Sequence, residues 1–170
     1  MRSLLALDSR DLRELACPWC GRTPRGASVG LKAVRNGTVV GALVCASASE
    51  LGDFYPPGSL VIVQMWVRSE DVGELIGTQL IQRLAAMCDP RRVRTLVAHG
   101  TLGAPDCRHL PGEWLESRGF VECVRGKQWK LDLGRTLRVP AAVREAVQAI
   151  VRAVRPGRPV SARGTPGVGG

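Results

Sequence analysis

The sequence predicts an α/β domain with a mixed, mostly antiparallel sheet flanked by helices, and three observations predict it. β-prone runs outnumber helical stripes, and two of them, within "LKAVRNGTVVGALVCA", are joined by Asn36-Gly37, a dipeptide that tolerates the positive φ angles of a tight hairpin turn. "LVIVQMWVR", residues 60–68, is apolar too continuously for an edge strand and so marks the middle of a sheet. From Ile76 the apolar positions Ile76, Leu80, Ile81, Leu84 and Met87 recur at the spacing of one helical face.

The remaining elements follow in order. "RSLLALD" reads as a first strand, after which Asp8 or Ser9 offers an N-cap for a short helix to about Ala16. "CPWCGRTPRGASVG" is rich in Gly and Pro and reads as a loop, as does "SASELGDFYPPGS". Pro90 closes the helix that starts at Ile76, and "VRTLVAH" is the next strand. "HLPGEWLESRG" is a short helix with Gly119 as its stop. "FVECV" and "QWKLDL" are strands, and in the second Trp129, Leu131 and Leu133 alternate with polar residues as a half-buried strand requires. Residues 1–134 therefore form the domain. Residues 135–154 form an extra C-terminal helix opened by Pro140, with a stripe of Val143, Ala146, Val147, Ile150, Val151 and Val154. That stripe packs on the domain or on a second copy, giving a homodimer. Residues 155–170 are mostly Gly, Pro, Arg and small residues and read as a disordered tail.

Composition narrows the function classes. A chain of 170 residues, 45% apolar, can bury one substantial core. No apolar run approaches the about 18 residues of a membrane span. The start "MRSLLALDSRDLREL" meets charges too soon for a signal peptide, so a cytoplasmic location is expected, with no membrane partner. Lys and Arg number 24 against 15 acids, a formal charge of +9. The arginines are scattered and aromatics few, which argues against nucleic acid and leaves an anionic cofactor or partner compatible.

The order strand, helix, hairpin, long strand, helix, strand, helix, two strands resembles the acetyl-CoA-dependent N-acyltransferases of the GNAT superfamily, over roughly residues 2–133. Two stretches carry the resemblance. "VIVQMWVRSEDVGELIGTQLIQRL" is similar to that family's central strand, cofactor loop and following helix. "GEWLESRGFVECVRGKQWKLDL" is similar to its late helix, "GF" step and closing strands. The resemblance implies a GNAT-type sheet, acetyl-CoA as acyl donor and a small-molecule or protein amine as acceptor. A catalytically silent CoA-binding sensor and a protein-interaction module are the alternatives.

The physics of the cofactor loop is independent of the name. A helix start leaves N–H groups without partners and carries partial positive charge, which a diphosphate accepts. Residues Val72, Gly73, Glu74, Leu75, Ile76, Gly77 and Thr78 are the candidate cofactor-binding loop, with Met65, Trp66 and Val67 on the strand before it. The family's loop reads Arg or Gln, two variable residues, Gly, one variable residue, then Gly or Ala. On residues 72–77 only the last glycine is kept: Val72 replaces Arg or Gln, and Leu75 replaces the first glycine. Glu74 brings a carboxylate that is unfavourable beside a diphosphate unless it points away.

For catalysis, the resemblance implies a β-bulge in the central strand that frees a backbone N–H for the thioester carbonyl. That role falls to Met65 or to Trp66 and Val67. The family's carboxylate base and late-helix tyrosine are matched here by Val63 or Gln64 and by Leu115, none of which transfers protons. His99, at a strand end and with an ordinary pKa near neutrality, is the candidate base, against a purely structural histidine. Asp106, Cys107, His109, Glu113 and Tyr55 are further groups that spacing does not separate. "CPWCG" is similar to one knuckle of a zinc ribbon. Cys17 and Cys20 with Cys107 and His109 would complete four ligands, but without a second tight pair the assignment is no metal, and free thiols are the alternative.

Overall fold

The structure is a computed structural model, and it describes residues 1–136. Strand β1 (Arg2–Ala6) leads to helix α1 (Asp11–Glu14), followed by β2 (Val29–Arg35), β3 (Thr38–Ser47), α2 (Ala48–Leu51) and β4 (Ser59–Val67). Helix α3 (Ile76–Met87), β5 (Thr95–Thr101), β6 (Leu110–Pro111), α4 (Gly112–Glu116), β7 (Val121–Val124), β8 (Gln128–Asp132) and α5 (Leu133–Thr136) complete it. The sheet has eight strands in the order β1-β2-β3-β4-β5-β8-β7, with β6 beside β5 off that path. All pairings are antiparallel except β4 with β5 and β5 with β6, as the mixed, mostly antiparallel expectation requires.

Local chemistry accounts for most elements. Arg10, not Asp8 or Ser9, is the N-cap residue of α1; Asp8 shapes the turn before it, its carboxylate accepting the amides of Arg10 at 2.8 Å and Asp11 at 2.9 Å. Asn36 and Gly37 both adopt positive φ, 50° and 77°, and close the β2–β3 hairpin. Helix α3 buries Ile76, Leu80, Ile81, Leu84 and Ala85 against one face of the sheet. Leu31, Leu43, Leu96, Ala98, Leu115 and Trp129 meet it there in the main core. A smaller cluster of Ala48, Val61 and Val97, with Tyr55 and Val63, lies on the other face.

Three expectations need correction. Residues 48–51 are helical rather than loop, because Ser47 and Glu50 form a capping box, with the Ser47 amide donating to Glu50 at 3.0 Å. Met87 is exposed although it continues the spacing: it is the last residue of α3, after Leu84 and Ala85 have closed the buried face. Strand β6 carries only two residues, too few to show any periodicity. The expected helix over 135–154 overlaps α5 at residues 135–136; the rest of it, its dimer-forming stripe and the tail lie outside the described residues.

Candidate functional site

Strands β4 and β5 pair only over Ser59–Ile62 and Thr95–Ala98. Beyond that the two strands part. Register provides the bend: Val44 faces Gln64 and Cys45 faces Ile62, so Val63 is an extra residue on β4. Such a bulge kinks its strand. The expected bulge is therefore present. A cavity of about 610 Å³ opens beside the parted strands, in the range of small-molecule sites. Met65, Trp66, Val67, Val72, Gly73, Leu75, Ile76, Gly77 and Thr78 all line it. Glu74 and His99, from the same set of candidates, are not among its lining residues.

The loop between β4 and α3 is a turn of 3-10 helix over Ser69–Asp71, then Gly73 at φ +93° and Leu75 at φ +60°. Leu75 caps α3 in the left-handed region, a strain that a leucine rarely bears and that favours ligand sites. The first helical bond runs from the Gln79 amide to the Leu75 carbonyl at 3.0 Å. The amides of Ile76, Gly77 and Thr78 thus have no partner within the helix.

Three arginines hold this loop. Asp71 is buried, accepting from Arg35 Nη1 at 2.8 Å and from Arg68 Nη2 at 2.7 Å. Arg35 also pairs with Glu74, which Arg2 reaches at 3.3 Å. The Glu74 carboxylate is thereby turned toward β1 and β2, and the Arg35 guanidinium holds its pKa below the usual glutamate value. The objection that Glu74 posed to an anionic ligand is removed by partners 39 and 72 residues away in sequence.

A cation that sequence reading missed lies at the start of α3. Arg118, just past α4, donates from Nε to Thr78 Oγ1 at 3.0 Å and stacks over Trp114 at 4.2 Å. It lines the cavity beside the first turn of α3. No spacing motif links residues 78 and 118, so only the fold reveals the pair. Gly77 has a packing role that the loop motif does not express. A Cβ there would lie 2.7 Å from Met65 Cε and 3.1 Å from Trp114 Cζ2.

The cleft edge of β4 is partly occupied by the protein itself. The Met65 N–H donates to the Cys107 carbonyl at 2.7 Å, and the Trp19 indole donates to the Val67 carbonyl at 2.7 Å. These bonds show that Met65 and Val67 turn their backbone polar groups away from β3. By strand alternation the Val67 N–H points the same way. Gln64, at the place of the family's base, is buried and donates to the Arg22 carbonyl at 2.9 Å, anchoring the "CPWCG" loop. Leu115, at the place of the tyrosine, is fully buried in the core.

His99 shares its sheet face with Val97 by alternation, on the side of Tyr55. The Tyr55 hydroxyl lies 2.7 Å from His99 Nε2. The His109 ring meets His99 edge-on at 6.3 Å, and His109 Nδ1 lies 3.0 Å from Asp106 Oδ1. Two hydrogen-bonded pairs, Tyr55–His99 and His109–Asp106, thus meet at an edge-on ring contact, and Asp106 lines the cavity. Burial, then the His109 charge, lowers the His99 pKa. Burial raises that of Tyr55. Burial opposes ionisation of Asp106, but the amides of Arg108 and His109 outweigh it and its pKa falls.

Cys17, Cys20 and Cys107 come together, their sulfurs within 4.8 Å of one another. His109 is not in that group. The Cys107 thiol is pushed up to about 12 by burial and by its neighbouring thiols. The Arg22 backbone N–H lowers that of exposed Cys20.

The sequence matches no protein-family model and no curated protein. Solved structures share its architecture. An acetyltransferase of the GNAT family from Staphylococcus aureus Mu50 superposes with a TM-score of 0.58 at 11% identity, covering 78% of this chain and 99% of that one. The ribosomal-protein-S18-alanine N-acetyltransferase from Escherichia coli gives 0.56 at 14%, covering 78% and 94%. A GNAT family N-acetyltransferase from Escherichia coli in complex with CoA gives 0.53 at 12%, covering 78% and 81%. The chain has the GNAT N-acetyltransferase fold, as the two motif stretches imply. Among the described residues no helix is long and apolar enough to cross a membrane.

Proposed function

We propose that the protein is an acyl-CoA-dependent N-acyltransferase that moves an acetyl group from acetyl-CoA to an amine. The observation that carries this reading is the cavity of about 610 Å³ lined both by Met65, Trp66 and Val67 of β4 and by the unpartnered amides at the start of α3. Ile76, Gly77 and Thr78, with Gly73 and Leu75 before them, supply backbone donors for the diphosphate, and Arg118 supplies the positive charge that Val72 cannot. Trp66 and the Val67 N–H line the path of the acyl arm toward Met65. When acetyl-CoA is bound, its thioester supplies the activated acyl group.

The chain's own contribution is positioning and proton handling. Holding an amine against the acyl carbon removes much of the entropic barrier. His99 is the proposed base. Its lowered pKa keeps it neutral near pH 7, able to take a proton from the amine directly or through water. The acceptor approaches from the Tyr55 and His99 face, opposite α3.

One observation favours a second reading, a silent CoA-binding sensor: the Met65 N–H is already bonded to Cys107. Calorimetry with CoA and acetyl-CoA, followed by acetyl-CoA consumption across an amine panel, separates the two. Binding with turnover is the expected result. Binding without turnover on any amine supports the sensor, and absence of binding defeats both. Val72→Glu is the matched variant, since Val72 is 63% exposed and tolerates a charge without unfolding. It should lose CoA binding while keeping its melting temperature.

A further inference from the structure

We infer that Cys17, Cys20 and Cys107 form a binding site for a thiophilic divalent cation of the zinc type. The three sulfurs lie within 4.8 Å of one another, and Cys20 Sγ is 3.5 Å from Cys107 Sγ. Thiolates bound to tetrahedral zinc at about 2.3 Å sit roughly 3.8 Å apart, so small rotations of three side chains complete the geometry. Among the described residues no carboxylate or imidazole joins the group. An all-sulfur donor set selects soft ions over magnesium, calcium or manganese.

The surrounding backbone is built for this. Around "CPWCG" the Cys17 carbonyl accepts the Gly21 amide at 2.8 Å, and the Cys17 amide donates to the Arg22 carbonyl at 2.8 Å. The turn is closed on itself, so Cys17 and Cys20 present their sulfurs together. Gln64 pins it to β4 through the Arg22 carbonyl at 2.9 Å. Cys107 arrives on a separate loop, 87 residues from Cys20 in sequence. Cys17 and Cys107 are buried, whereas Cys20 is exposed. Cys20 and Cys107 also line the cavity of about 610 Å³, so a fourth, exchangeable ligand has access from that side.

The ion joins two loops across the cavity rim. Cys107 is also the residue whose carbonyl accepts the Met65 N–H, so the site adjoins the β4 edge. Binding displaces up to three thiol protons to solvent and requires no redox partner.

The test uses the full chain. Protein purified under reducing conditions, loaded with zinc and desalted should retain about one ion per chain. Cobalt in its place should show thiolate-to-metal charge-transfer absorption. Cys20→Ser and Cys107→Ser should each lose the ion, and Cys123→Ser, exposed on β7, should keep it. If a serine variant fails to fold, alkylation of the wild-type chain decides: zinc should protect Cys20, with Cys123 reacting equally in both states. Retention below roughly a tenth of an equivalent, or equal Cys20 alkylation with and without zinc, overturns the site. A mapped Cys20–Cys107 disulfide in chain that takes up no zinc would make the cluster a redox pair instead.

Discussion

Replacing Asp71 by Asn should loosen the cofactor loop more than any change at its exposed residues. Asp71 is 2% exposed, while its partners Arg35 and Arg68 are 31% and 29% exposed. Its Oδ1 accepts from Arg35 at 2.8 Å, and its Oδ2 accepts from Arg68 Nε at 2.8 Å. Asparagine keeps the shape but removes the charge and turns one acceptor into a donor facing a guanidinium. Hydrogen bonds to charged groups contribute about 1.5–3 kcal/mol each in stability. Solvent reaches both arginines, so the two together are worth about 2 kcal/mol rather than the 3–5 of a fully buried pair. In a domain of this size that lowers the melting temperature by roughly 4–8 °C. Differential scanning calorimetry checks the stability. Titration with CoA, at a temperature where both proteins are folded, checks the function, and affinity should fall with stability because Asp71 and Glu74 share Arg35. A melting temperature within about 1 °C of wild type would refute the reasoning, since it would mean that the arginines find equal partners in solvent.

Two further outcomes follow from the same geometry. Arg35→Ala should weaken CoA binding by releasing the Glu74 carboxylate, and Arg35→Ala with Glu74→Ala should recover part of it. Equal affinities for the single and double variants, measured by titration at low salt, would show that Glu74 never faces the ligand. For His99 the sign runs with pH. Its folded pKa lies below the ordinary 6.5, so on acidification the unfolded chain gains a proton first. Stability is therefore full above 6.5, declines as pH falls below it and levels off beneath the folded pKa. Urea midpoints of wild type and His99→Gln across this range measure the effect, and a variant with the same slope as wild type would count against it.

What the sequence determined by itself is what its neighbours along the chain control. The Asn36-Gly37 turn, the apolar spacing of α3 as far as Leu84 and the alternation of Trp129 and Leu131 in β8 each depend on residues a few positions apart, and the structure holds all three; Leu133, the next in that alternation, already opens α5. The order of these elements also singled out the loop between β4 and α3 as the candidate site, and that loop lines a cavity. Tertiary structure decided everything that depends on partners far away in the chain. The direction of Glu74 is set by Arg2 and Arg35, the neighbour of Thr78 is Arg118, and the Met65 N–H meets a carbonyl of residue 107. Cys20 finds its nearest sulfur 87 residues later. A charge or a backbone donor is the same chemical group in every conformation. Which partner lies within about 3 Å of it is fixed only when the sheet brings distant strands and loops together.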